Sequence, residues 1–150
     1  MRKILLTLGM AWFGVSGCGD TYEYTIPNVS FSFTCNLAQN PYYKITTPGQ
    51  FLIVSKNANG LPVGYGGLIL GQSVFSDGQT YQAFDAACPV EASRQVILQL
   101  ENDGIGTAVC PKCHATFGLS AGGSRNDGKG EEYLRPYRVR IAGKTLQVSN

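Results

Sequence analysis

Cys110-Pro111-Lys112-Cys113-His114 gathers two of the chain's five cysteines and its only histidine into five consecutive residues. Two thiols spaced this way can chelate one metal ion or close a disulfide. With a histidine directly behind them, they also match the signature of covalent haem attachment. Cys88 and Glu91 lie upstream. Read as a metal site, Cys110 and Cys113 supply two thiolates to one ion. Read as a disulfide framework, the candidates are Cys88, Cys110, Cys113 and Cys35; four thiols allow three complete pairings, and sequence does not choose among them. Read as a haem site, His114 would be the axial ligand. A distal ligand is commonly a second histidine or a methionine, and here both methionines, Met1 and Met10, lie in the first ten residues.

Those first residues set the compartment. Arg2 and Lys3 precede an apolar run, Ile4 to Phe13, that is too short to span a bilayer and has the length of a signal-peptide core. The run ends in Val15-Ser16-Gly17-Cys18, which resembles a bacterial lipobox. The expectation is a signal peptide over residues 1–17, lipidation of Cys18 and a polar tether over 18–27. The domain would sit outside the cytoplasm, lipid-anchored to a bacterial membrane on the outer-membrane or periplasmic side. Outside the cytoplasm thiols tend to oxidise, so disulfides compete with metal for the same residues. Removal of residues 1–17 takes away two of twelve basic residues and none of ten acidic ones, leaving ten of each. No basic field remains to attract nucleic acid.

The elements that must position the thiols read as strands. Nineteen glycines and seven prolines break the chain into short runs. Val29–Thr34 alternates at period two, and Phe51–Ser55 is closed by Lys56-Asn57-Ala58-Asn59-Gly60. Further runs follow at Tyr65–Gly71, Thr80–Asp85 and Gln95–Glu101. A hairpin is expected at Asn102-Asp103-Gly104, because Asp-Gly favours the positive φ of a tight turn. A second is expected at Ala142-Gly143-Lys144, with Val139, Ile141, Leu146 and Val148 on its buried side. Arg135, Arg138 and Arg140 read as a solvated strand face. The expected class is all-β, in one domain over residues 28–150.

Ala83–Ser93 and Val109–Phe117 stand at the two ends of the Asn-Asp-Gly hairpin; a glycine-rich stretch, Gly118–Leu134, follows, and the chain closes on Ala142–Val148. This arrangement resembles the Rieske iron–sulfur family over roughly residues 50–150. The resemblance implies a small antiparallel β-sandwich with a two-loop cluster-binding subdomain, in which a cysteine pair and a histidine pair hold the two irons of a [2Fe–2S] cluster. Laid on this chain, the family's cysteines fall on Cys88 and Cys110, its two histidines on Val90 and Cys113, and its phenylalanine on Phe117. His114 lands one place past the ligand position. The scaffold is kept while the ligand set is incomplete: the resemblance leaves three thiols near the site, Cys88, Cys110 and Cys113, with His114 or Glu91 as the fourth donor.

The resulting expectation is a membrane-anchored lipoprotein with a degenerate Rieske-like domain, serving as a non-catalytic binding or structural module without a cofactor. The alternative is an electron-transfer protein with a variant [2Fe–2S] centre on Cys88, Cys110 and Cys113. A structural zinc site and c-type haem are the lesser alternatives. Partners would be the membrane through the lipid, and a redox or surface protein. No Ser-His-Asp set, paired-carboxylate site or phosphate-binding loop stands out, and no catalytic residue is assigned. A reactive Cys-x-x-Cys usually opens a helix, and none is expected here.

Overall fold

The computed structural model describes residues 21–150; Cys18 and the expected signal peptide lie outside the described residues. The short runs form ten strands: β1 (Ser32–Asn36), β2 (Phe51–Val54), β3 (Leu68–Gly71), β4 (Gln82–Asp85), β5 (Gln99–Leu100), β6 (Thr107–Val109), β7 (Thr116–Gly118), β8 (Ser124–Arg125), β9 (Pro136–Ala142) and β10 (Thr145–Ser149). The helical pieces among the described residues are two 3-10 turns, Tyr42–Thr46 and Leu119–Ala121. None of the described helices is long and apolar enough to cross a membrane. The fold is all-β.

All strand pairings are antiparallel. Six strands form one sheet in the order β1-β10-β9-β4-β3-β2, and four form a second in the order β5-β6-β7-β8. The larger sheet curls on itself. Its two halves meet only through Ala83 opposite Tyr137 and Phe84 opposite Pro136, and both halves point side chains into one core. Phe33 and Cys35 of β1, Leu146 and Val148 of β10, and Leu68 and Leu70 of β3 all lie there.

Strand alternation sends the neighbouring side chains the other way. Ile69 of β3 and Phe84 of β4 enter a second core with Leu98, Ala108, Phe117, Leu119 and Leu134. The four-stranded sheet therefore covers the outer face of β2–β4. This explains why Leu68-Ile69-Leu70 is buried throughout: the strand has a core on each side, so an unbroken apolar run is what its position requires.

Both expected hairpins form. Leu100 pairs with Ala108, and Asp103 Oδ1 accepts the N–H groups of Ile105 and Gly106 to hold the turn between them. In the C-terminal hairpin Ala142 pairs with Thr145 across Gly143-Lys144. Leu146 and Val148 are buried as expected, and Val139 packs at the core's edge. Ile141 is 40% exposed instead, because this end of the hairpin runs past the last residue of β9 that pairs with β4. Arg138 and Arg140 are exposed, but Arg135 is not a solvated cation. Its Nε donates to Ile26 O, and its guanidinium lies over the Tyr24 ring at 5.0 Å.

Packing also begins before residue 28. Ile26 is fully buried, the Tyr22 hydroxyl accepts the Tyr133 N–H at 3.0 Å, and the Tyr22 and Tyr133 rings meet edge to face. Of the expected tether, Tyr22, Tyr24 and Ile26 are packed on the domain.

Candidate metal centre

Two loops at the same end of the four-stranded sheet carry the thiols. The first runs from β4 to β5 and holds Cys88 and Glu91; the second joins β6 to β7 and holds Cys110, Cys113 and His114. Each loop is anchored to the segment returning beside it: Cys88 N–H donates to Val96 O, and Cys110 N–H to Ala115 O, both at 2.9 Å. Behind them Leu98, Ala108, Ala115 and Phe117 close the second core.

The loops bring Cys88, Cys110 and Cys113 together. The three Sγ atoms all lie within 4.8 Å of one another, with Cys88 and Cys113 at 3.7 Å. Cys88 and Cys110 are fully buried and Cys113 half-buried; all three are free thiols. Cys35 is not with them. It lies on β1 in the other core, so the structure sets it apart from the three disulfide candidates of the loops.

The other two proposed donors sit at the margin. His114 is exposed and stands outside the sulfur group. Pro111–Cys113 form a turn, and His114 takes φ 60° as the turn closes. The Glu91 carboxylate also stands outside the sulfur group, with Oε2 accepting a hydrogen bond from Lys112 Nζ of the second loop at 2.5 Å. The Glu91 side chain is 17% exposed and that of Lys112 66%. The pair bridges the two loops, and the Glu91 carboxylate holds the Lys112 ammonium protonated to a higher pH than usual.

The thiols are electrostatically unequal. Burial pushes the Cys88 thiol up to about 12, against the Glu91 and Val90 N–H groups that point at its sulfur. Burial also acts to raise Cys110, but the amides of Cys113 and Lys112 outweigh it and bring that thiol below its ordinary value of 9.0. The Cys113 N–H approaches Cys110 Sγ at 3.5 Å. N–H groups turned on a sulfur favour its thiolate, the form that binds metal.

A Rieske cluster does not fit these residues. Val90, at the first histidine position, is apolar and 37% exposed, and Cys113 occupies the second. A [2Fe–2S] cluster also sorts its protein ligands into one pair on each iron, whereas the three sulfurs here converge on one point.

Sequence reading missed Asp85. It is fully buried at the end of β4, just before the first loop. Its carboxylate accepts the N–H groups of Tyr65 (2.5 Å), Gly66 (3.0 Å) and Ala87 (2.8 Å), and the Tyr137 hydroxyl at 2.6 Å. Burial, then the Asp85 carboxylate, raises the Tyr137 pKa well above the usual phenol range. Gly64 (φ 66°) leaves room for this cradle, since a Cβ there would stand 2.8 Å from Asp85 Oδ2. The signal was a lone acid ending an apolar strand. Arg125 was missed too. It bonds Asp127 through Nε and Nη2 and Glu132 through Nη1, folding the glycine-rich segment back on itself, while Asn126 N–H donates to Thr116 O at the base of the second loop.

No protein-family model matches the chain, and no curated protein matches it. Among solved structures it is similar to a protein assigned as an NADH-dependent nitrite reductase small subunit from Mycobacterium tuberculosis, at 17% identity and a TM-score of 0.43 over 82% of this chain and 97% of that one. It is also similar to the ferredoxin of carbazole 1,9a-dioxygenase from Nocardioides aromaticivorans, at 15% identity and a TM-score of 0.44 over 81% and 97%. Likeness at this level assigns no residue of the site.

Proposed function

We propose that this chain is a bacterial lipoprotein, anchored through Cys18 outside the cytoplasm. Its Rieske-like domain holds a thiophilic metal between two loops and serves as a non-catalytic binding module for a surface or redox protein. The observation that carries the metal reading is the convergence of Cys88, Cys110 and Cys113 within 4.8 Å. Thiolate donors select metals such as zinc, copper(I) and iron. The amides aimed at the Cys110 sulfur favour the ionised form that such a metal requires, while Cys88, raised by burial, would give up its proton on binding.

A disulfide fits less well. Joining any two of the three thiols leaves the third without a partner, and Cys35 lies in the other core. The non-catalytic reading is supported by what the loops offer: a group of three thiols, with the ion-paired Glu91 and the only histidine both outside it.

Anaerobic purification of the full chain from its own membrane, followed by metal analysis and mass spectrometry of the thiols, tests this. Stoichiometric metal with Cys88, Cys110 and Cys113 protected from alkylation is expected. A metal-free protein with a disulfide among these residues would overturn it. Iron with acid-labile sulfide and visible charge-transfer bands would replace it by the electron-transfer reading.

A further inference from the structure

The two loops are built on one plan. Cys88-Pro89-Val90-Glu91-Ala92 and Cys110-Pro111-Lys112-Cys113-His114 each open with Cys-Pro. In each, the fifth residue's N–H closes on the first residue's carbonyl: Ala92 on Cys88 at 2.9 Å, His114 on Cys110 at 3.0 Å. Those fifth residues, at φ 48° and 60°, are the only non-glycine positions with positive φ among the described residues. In each, the N–H groups of the third and fourth residues point at the first residue's sulfur. Matched residue for residue, Cys88 corresponds to Cys110, and Glu91 corresponds to Cys113.

A turn of this plan presents donors from its first and fourth positions. The second loop presents two thiols; the first presents a thiol and a carboxylate. Building on the metal-holding reading above, we propose that the site takes a single zinc-like divalent cation, bound tetrahedrally by Cys88, Cys110, Cys113 and Glu91, with Lys112 as the counter-charge that Glu91 leaves on binding.

Zinc–sulfur bonds of about 2.3 Å in a tetrahedron set neighbouring sulfurs about 3.8 Å apart. Cys88 and Cys113 stand at 3.7 Å, and the three sulfurs need only small shifts from within 4.8 Å, while the Glu91 carboxylate, outside that group, must swing in from Lys112. Thiolate ligands select against calcium and magnesium, which take oxygen donors. Binding releases the remaining thiol protons to solvent. Three thiolates and a carboxylate around a divalent ion leave the centre with a net charge of −2, and the Lys112 ammonium at the loop edge offsets part of it. Four protein donors make a closed, structural kind of site, in keeping with a non-catalytic module.

Cobalt(II) titration of the full chain under reducing conditions, followed by zinc competition, tests the assignment. The wild type should bind one cobalt per chain with thiolate charge-transfer absorption and tetrahedral d–d bands. Glu91→Ala should weaken zinc by at least about a hundredfold, the upper end of what losing even an outer partner of a metal ligand costs. Glu91→Cys should keep one ion and add a fourth thiolate to the charge-transfer band, which a collapsed loop would not do. His114→Ala should leave affinity unchanged.

Unchanged zinc affinity in Glu91→Ala, or loss in His114→Ala, would overturn the Glu91 assignment while the metal reading stands. Two irons and two sulfides per chain would overturn the single-ion assignment alone. A wild type that takes up no metal with its thiols reduced would sink the metal-holding reading itself.

Discussion

Cys35 and Cys110 are both buried, yet their two cores treat them in opposite ways. Cys35 points from β1 into the apolar core of the larger sheet, and burial pushes its thiol up to about 11. Cys110 opens a loop on the smaller sheet, where backbone N–H groups surround its sulfur and hold its pKa below 9.0 despite burial. The larger sheet uses its cysteine as a small apolar side chain. The smaller one has strands of only two or three residues, so much of its order must come from its loops and core. Burial alone keeps a thiol neutral, as at Cys35; the amides around Cys110 outweigh burial, whereas those at Cys88 do not.

The sharpest way to break this contrast is to change each thiol in turn. Cys110→Ser should abolish stoichiometric metal in a purified sample, while Cys35→Ala should leave metal content at the wild-type level; equal loss in both variants would erase the distinction. Next in size is the seam between the regions. Asp85→Ala leaves three N–H groups and the Tyr137 hydroxyl without their acceptor, and should cost about 3–5 kcal/mol in urea denaturation. A cost below about 1 kcal/mol would mean that water replaces the carboxylate. Cys35→Ala, which empties a small space in a packed core, should cost only about 1 kcal/mol.

Protonation offers a subtler reading of the same pair. The Cys35 thiol stays protonated in the folded chain up to about 11 but ionises from about 9.0 when unfolded. Its burial therefore stabilises the fold fully below pH 9.0, and that contribution drains away as pH rises toward 11. Cys110 runs the other way: its folded-state value lies below 9.0, so its contribution is present above 9.0 and falls as pH drops through the folded value. In the metal-free protein, Cys35→Ala should flatten the alkaline limb of the stability curve, and Cys110 should be alkylated at lower pH than Cys35. No larger than the Cys35→Ala effect, Tyr22→Ala removes the edge-to-face contact with Tyr133 and should cost about 1 kcal/mol, with metal content untouched.

Much of the frame was legible because strand periodicity and turn chemistry are local. Asp103-Gly104 and Gly143-Lys144 turn where their residue types demand, and Leu146 and Val148 face inward as alternation requires. The grouping of Cys88 with Cys110 and Cys113 was implied by the resemblance to a family whose two loops share one site. What was hidden depends on contacts between distant segments. Asp85 gave no spacing signal, since three of its four donors come from residues well removed in sequence. The burial of Ile26 is equally non-local. The turn that carries His114 into positive φ was obscured because that conformation is far commoner for glycine, so the residue type argued against the geometry it adopts.

The docked tether bears on how such a domain would meet anything else. Tyr22 is fixed against Tyr133, and only three residues separate it from Cys18. Fully extended, that stretch of chain reaches about 14 Å. On the proposed anchoring, the domain would be moored on a short leash, with little freedom to swing or to search the space above the lipid. Encounters with another protein would then depend on drift within the plane of the membrane, and on which flank of the domain the mooring leaves uppermost.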